Sequence, residues 1–206
     1  MFPASLYRLC LVTDPDLANG RPLADLVMAA VRGGVSMVQL REKTAGTRDF
    51  LAQARILKAV LAGTGVPLVI NDRVDIALAA DADGVHVGQG DMPLADVRRL
   101  LPKGKIIGLS ITNAAQMAAA DVAMADYLGI GPIFAQTTKG DASTPLGIEG
   151  FARLRALAPA GKPCLAIGGV KAVHASDLRA AGADGLAVVS AIAGAGDVAA
   201  AARAFG

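Results

Sequence analysis

Charge of one sign is what this sequence most clearly lacks. Its 20 basic and 18 acidic residues leave a net charge of +2 and are interspersed without a long block of either kind. That excludes a basic nucleic-acid-binding tail and a basic membrane face. No window has the length of a transmembrane helix without charges. The stretch Met1-Phe2-Pro3-Ala4 lacks the charged and apolar regions of a signal peptide, so none is expected. Cysteine is scarce: Cys10 and Cys164 each lie inside an apolar, strand-like run, give no disulfide framework, and are expected to be buried free thiols. Together these absences predict a cytoplasmic chain with no nucleic-acid partner and no membrane, and they leave a homo-oligomer open. Aromatics are also few, 3% of residues, while 53% are hydrophobic and 24 are glycine. Ala, Val, Leu and Ile carry the apolar content, which is the profile of a compact α/β protein.

Short apolar runs alternate with stretches of helical spacing along the whole chain. Strands are predicted at 7–13, 35–40, 67–70, 85–87, 105–109, 127–130, 163–167 and 185–189. Helices are predicted at 22–32, from Thr47 as a cap to Gly63, and at 74–80 and 94–101. Further helices follow from Asn113 as a cap to Met124, and at 148–158, 175–181 and 198–205. Ala82-Asp83-Gly84-Val85 recurs as Ala183-Asp184-Gly185-Leu186 and is echoed by Ala125-Asp126-Tyr127-Leu128, each at a helix-to-strand turn. Eight such units in one 206-residue domain fit a (β/α)8 TIM barrel better than an open doubly wound sheet. The segment 131–145 is the one long polar loop, and its Lys, Thr and Gly content suits a lid.

In a barrel the chemistry belongs to the segments that follow the strands. The stretch Gln39-Leu40-Arg41-Glu42-Lys43 closes the second strand. Alternation puts Gln39, Arg41 and Lys43 on the face of Val35 and Met37, with Val38 and Leu40 opposite. One amide and two cations in a row suit an anion. Glu42 points away from its basic neighbours and is expected to make a supporting salt bridge. Asn71 and Asp72 follow the third strand, Gly88, Gln89 and Asp91 the fourth, Ser110 the fifth, and Gln136, Thr137, Thr138 and Lys139 the sixth. Ile167-Gly168-Gly169 and Val189-Ser190 end the last two strands, where barrels hold phosphate; the alternative is a tight turn. Asp72 and Asp91 lie among Arg41, Lys43 and Lys139 and would repel a phosphate unless a cation such as Mg2+ intervened. That charge balance favours a diphosphate, although each aspartate could instead pair with a base or cap a helix. His86 and His174 have no partner at nucleophile or metal spacing, and structural roles are expected for both. No Ser-His-Asp set, zinc spacing or dinucleotide fingerprint is visible.

Taken in order, Leu11-Val12-Thr13-Asp14, Gln39-Leu40-Arg41-Glu42-Lys43, Asn71-Asp72-Arg73-Val74-Asp75 and Gly84-Val85-His86-Val87-Gly88-Gln89 form one pattern. Gly108-Leu109-Ser110, Gly131-Pro132-Ile133-Phe134, Thr138-Lys139, Ile167-Gly168-Gly169 and Val189-Ser190-Ala191-Ile192 complete it. The chain thereby resembles the thiamine-phosphate synthase family over nearly its whole length. The resemblance implies a Mg2+-dependent (β/α)8 transferase that joins a hydroxymethylpyrimidine diphosphate to a thiazole phosphate, giving thiamine monophosphate and pyrophosphate. It implies that Gln39, Arg41, Lys43, Asn71, Ser110 and Lys139 hold the pyrimidine diphosphate. Arg41, Lys43, Ser110 and Lys139 would act in catalysis, and the whole stretch from Gln39 to Lys43, Leu40 and Glu42 included, is assigned to substrate. Asp72 and Asp91 would hold the metal. Thr137, Thr138, Gly169, Val189 and Ser190 would hold the thiazole phosphate.

One departure stands out: the family usually reads Phe-Pro-Thr-x-Thr-Lys where this chain has Phe134-Ala135-Gln136-Thr137-Thr138-Lys139. Gln136 can still donate to a phosphate, so an altered thiazole KM with retained activity is expected, measured against Gln136→Thr. Two rivals remain. A thiazole tautomerase on the same barrel needs no diphosphate cradle; Asp72, Asp91 and Lys139 together, and Ile111-Thr112-Asn113 where it has a histidine after Ser110, speak against it. A catalytically silent binder of thiazole or thiamine phosphates would bind product without turnover.

Overall fold

Parallel strands buried on both faces need apolar residues at consecutive positions, and the short Val-, Ile- and Leu-rich runs supply them. In the computed structural model, which describes residues 2–135 and 144–206, eight such strands pair in parallel and in sequence order into a closed barrel. They are β1 (Leu9–Val12), β2 (Met37–Leu40), β3 (Leu68–Asn71), β4 (Gly84–Val87), β5 (Ile106–Ile111), β6 (Tyr127–Ile130), β7 (Cys164–Ile167) and β8 (Gly185–Val188). Closure is made by β1 and β8, with Cys10 opposite Ala187 and Leu11 opposite Val188. The outer ring consists of α1 (Leu23–Arg32), α2 (Thr47–Leu61), α3 (Val74–Ala79), α4 (Leu94–Leu100), α5 (Ala114–Met117), α6 (Gly147–Leu157), α7 (Ala175–Ala180), α8 (Ser190–Ala193) and α9 (Val198–Arg203). No helix among the described residues is long and apolar enough to cross a membrane.

Two cores result from the alternation of side chains. Between strands and helices lie Leu11, Val38, Leu40, Ile70, Val85, Ile107, Leu128 and Leu186 with helix residues such as Phe50, Leu57 and Phe151, all at most 1% exposed. Truncating one of these leucines to alanine would cost about 2–5 kcal/mol. Inside the barrel Tyr7, Cys10, Val12, Met37, Val69, Ile106, Tyr127, Leu165 and Ala187 pack on one another. Both cysteines are buried and free. Burial pushes the thiol of Cys10 up to about 12 and that of Cys164 to about 11, so neither carries a thiolate at neutral pH.

Four local expectations need correction. Val35 precedes the strand and packs in the helix-side core, so it does not share the inward face of Met37 and Gln39. Thr47 does not cap α2: the cap position is Gly46, and the Thr47 hydroxyl accepts a bond from Arg73 Nη2 at 3.1 Å. Asn113 does cap its helix, accepting from the Gln116 N–H at 3.0 Å, but that helix ends at Met117 and a separate 3-10 turn, Ala120–Met124, follows. Met117 and Val122 are both buried. Five residues apart, they would lie about 140° from each other on a continuous helix, so burying both requires the break. Val189 does not continue the last strand: β8 ends at Val188, and Ser190 opens α8.

Candidate active site

At the C-terminal ends of β1 and β2 the backbone of Arg41 is held in place before its side chain is used. The Thr13 hydroxyl accepts from the Arg41 N–H at 3.0 Å and donates to the Arg41 carbonyl at 3.3 Å. Asp14 Oδ2 lies 3.3 Å from Arg41 Nη1, and its Oδ1 accepts from the Asp16 N–H, which fixes the carboxylate. Arg41 Nε is buried and has no hydrogen-bond partner among the described residues. An unmet buried donor costs about 1–3 kcal/mol, so this guanidinium retains capacity for an acceptor.

Strand β2 stops at Leu40, and the next residues form a loop. Leu40 is fully buried in the helix-side core, so only its backbone faces the site. Glu42 makes no salt bridge among the described residues. Its Oε1 instead accepts from the Thr44 and Ala45 N–H groups at 2.7 and 3.0 Å and from the Thr44 hydroxyl at 3.1 Å. Burial alone would raise the Glu42 pKa, but these bonds outweigh it and hold the carboxyl below its ordinary value. The result is a clamp on the loop that carries Arg41 and Lys43.

Lys43 Nζ reaches Asp72 Oδ2 at 2.5 Å. Asp72 follows Asn71 at the end of β3 with φ of 62°, a left-handed conformation in which aspartate is among the few tolerated side chains, and its N–H donates to the His86 carbonyl at 2.8 Å. Asp91 Oδ2 accepts from the Gly88 N–H at 2.7 Å. Burial raises the Asp91 pKa and the adjacent Asp72 carboxylate raises it further, against the Gly88 bond and Lys43. The two carboxylates are therefore in mutual contact with one lysine to balance them. Asp72 pairs with a base, as the plainer reading of the sequence expects, whereas Asp91 forms no ion pair among the described residues and caps no helix, its partner being the Gly88 N–H.

Below this cluster the barrel interior turns polar. His86 Nε2 lies 2.9 Å from Ser110 Oγ and His86 Nδ1 2.9 Å from the Tyr127 hydroxyl. The Gln39 side chain lies beside Tyr127 and works against the rise in its pKa. A Cβ on Gly108 would sit 2.3 Å from His86 Nδ1 and 2.3 Å from Tyr127 Cζ, so only glycine leaves room for both rings. Gln89 Nε2 donates to the Ser110 carbonyl at 2.7 Å.

Across the mouth, Gly168 and Gly169 both have positive φ, 97° and 66°. The Gly168 carbonyl accepts from the Phe134 N–H at 3.0 Å, and a Cβ on Gly169 would lie 2.8 Å from Phe134 Cβ. The glycine pair thus lets the chain after β7 press against the chain after β6. Phe134 also stacks on His174, ring centroids 4.1 Å apart, while His174 Nδ1 accepts from the Lys171 N–H at 3.2 Å. Val189 and Ser190 follow β8, and Ser190 opens α8. Arg21 fastens that turn, donating to the Ala193 and Ala195 carbonyls at 2.8 and 2.7 Å and to Ala18 at 3.0 Å.

The structure thus gathers Gln39, Arg41, Lys43, Asn71, Asp72, Asp91, Ser110, Gly169, Val189 and Ser190 at one end of the barrel. Gln136, Thr137, Thr138 and Lys139 lie outside the described residues. The stems of their loop meet, with the Leu146 and Gly147 N–H groups donating to the Pro132 and Ile133 carbonyls at 2.8 and 2.9 Å. Among the described residues no cluster of three or more His, Cys, Asp or Glu side chains could hold a metal; the Asp72–Asp91 pair is the available donor set. The supporting roles of Thr13, Asp14, Arg21, Gln89 and Tyr127 were not assigned from sequence. The Asp14-Pro15 strand end was a signal for the first two, and nothing linear linked Tyr127 to His86.

Comparison with known proteins agrees with this fold. Residues 9–192 match the family described as thiamine monophosphate synthase. The thiamine-phosphate synthase of Albidiferax ferrireducens is 54% identical over 190 residues, covering 92% of this chain and 86% of that protein. That of Chloroflexus aurantiacus is 50% identical over 197 residues, covering 96% and 90%. The solved thiamine phosphate pyrophosphorylase of Pyrococcus furiosus superimposes with a TM-score of 0.87 at 33% identity, covering 98% of this chain and 95% of its own. A closed eight-stranded barrel with this site and these relatives belongs to the thiamine monophosphate synthase family.

Proposed function

We propose that this chain condenses 4-amino-2-methyl-5-(diphosphooxymethyl)pyrimidine with thiazole phosphate, releasing pyrophosphate and forming thiamine monophosphate, in the cytoplasm. The observation that carries the reading is the contact of Asp72 with Asp91 beside Lys43, with the unmet Arg41 donor across the same mouth. A carboxylate whose proton affinity is raised by burial and by a neighbouring carboxylate, in a cationic site, suits a divalent ion. Mg2+ is commonly held by one or two carboxylates with substrate phosphate oxygens completing the shell. The donor set fits, and Asp72 and Asp91 would hold it. When bound, Mg2+ neutralises charge on the diphosphate.

The protein's own residues then perform the rest. Arg41, Lys43 and Lys139 receive the negative charge that develops as the methylene C–O bond breaks and its electron pair leaves with the diphosphate. Ser110 and Asn71 donate to the same group, and Gln39 orients the pyrimidine. Gly169, Val189, Ser190, Thr137 and Thr138 seat the thiazole phosphate so that the ring nitrogen's lone pair faces the pyrimidine cation and closes the C–N bond. No proton moves to or from the reacting atoms, so the reaction requires no general base.

The test follows pyrophosphate and thiamine phosphate together, from both substrates, with and without Mg2+. Equal, metal-dependent release of both is expected. No product from folded protein that binds both ligands would overturn the reading in favour of a tautomerase or a silent binder.

A further inference from the structure

A hydrogen-bonded chain runs up the barrel interior from Tyr127 through His86 to Ser110. Its first two members are at most 5% exposed. We propose that His86, backed by Tyr127, is a positioning residue that keeps the Ser110 hydroxyl proton directed at the substrate diphosphate. This rests on the reading above that Ser110 contacts that group.

Two proton orders satisfy the chain. In one, the Tyr127 hydroxyl donates to His86 Nδ1 and His86 Nε2–H to Ser110 Oγ, which leaves the Ser110 proton for an outside acceptor. In the other, every bond reverses and Ser110 gives its proton to His86. An anionic diphosphate would then face only oxygen lone pairs, so its presence selects the first order. Burial holds the Tyr127 hydroxyl well above its ordinary pKa, which keeps it a donor at any working pH.

The surroundings fit a fixed relay. Gly108 and Gly129 open the wall for the two rings, and a Cβ on Gly129 would lie 3.2 Å from His86 Cε1. Gln89 pins the Ser110 backbone, so the hydroxyl torsion is the remaining freedom, and His86 governs it. The His86 carbonyl accepts from the Asp72 N–H at 2.8 Å, which joins the relay to the carboxylate pair.

The experiment is a double-mutant cycle on kcat with Tyr127→Phe, Ser110→Ala and the double variant, melting temperatures being recorded alongside. Loss of an electrostatic donor makes Ser110→Ala slower by about 10²-fold. Loss of one hydrogen bond makes Tyr127→Phe slower by about 3- to 10-fold. The double variant should be no slower than Ser110→Ala alone, because the relay acts only through that hydroxyl. If Tyr127→Phe imposes its full loss on top of Ser110→Ala, or none by itself, the relay is overturned while the role of Ser110 stands. If Ser110→Ala retains wild-type kcat and diphosphate KM, the reading of Ser110 falls and the relay with it. Should Tyr127→Phe not fold, the same cycle is run with His86→Gln under the same criteria.

Discussion

The two ends of this barrel handle carboxylates in opposite ways. At the N-terminal end, the repeated Ala-Asp turn places Asp83, Asp126 and Asp184 just before β4, β6 and β8. Each accepts a backbone N–H from the strand before it, Leu68, Ile107 and Cys164 respectively, at 2.8 to 2.9 Å. Each also pairs with a base: Lys58 at 2.6 Å, Arg98 at 2.9 Å and Arg155 at 3.3 Å. At the C-terminal end Asp72 and Asp91 face one another across a single lysine, and Arg41 keeps an unmet donor. One end spends its electrostatics on holding neighbouring strands together. The other leaves them for a ligand. Clefts of about 540 and 730 Å3 open at the N-terminal end, lined by charges from those pairs.

The comparison can be broken most sharply at the carboxylate pair. Asp72→Ala or Asp91→Ala should lower kcat by about 10²–10³-fold, the scale for removing a transition-state electrostatic group, with the fold retained. Wild-type rates in both variants would reject the metal assignment. Arg41→Ala should raise KM for the diphosphate by about 10-fold, the effect of losing roughly 1.4 kcal/mol, and leave that for thiazole phosphate nearly unchanged. Equal rises for both substrates would count against the division of the site.

At the other end the effects should appear in stability and not in turnover. Asp126→Ala strands the Ile107 N–H and should destabilise by about 1–3 kcal/mol in denaturant titration while kcat stays unchanged. A large fall in kcat at constant stability would erase the contrast. The smallest effect is expected from Glu42. Its folded pKa lies below the ordinary 4.5, so it contributes stability at neutral pH that is lost as pH falls through the folded value. Glu42→Gln should flatten the acid limb of the melting-temperature profile below about pH 4.5. An unchanged limb would remove the clamp from the account.

The repeat Ala82-Asp83, Ala125-Asp126 and Ala183-Asp184 was legible as a turn marker, yet its purpose was not, because the partner N–H groups belong to strands 15 to 20 residues earlier. Gln39, Arg41 and Lys43 were legible as candidates because they close an apolar run, although alternation holds only for Gln39, with Arg41 and Lys43 lying in the loop beyond β2. Glu42 was misread for the same reason: alternation was extended past Leu40, where the strand ends and a local turn captures the carboxylate. His86 read as merely structural since its partners, Ser110 and Tyr127, come from the next two strands.

The sequence by itself determined the barrel, through eight apolar runs at regular spacing, and the end at which its chemistry lies, through polar residues that follow each run. Both depend on local periodicity, which linear order records. Tertiary structure alone decided which carboxylates are shared and which are spent, and which hydroxyl a buried histidine directs. Those outcomes depend on distances between neighbouring strands, fixed only when the barrel closes.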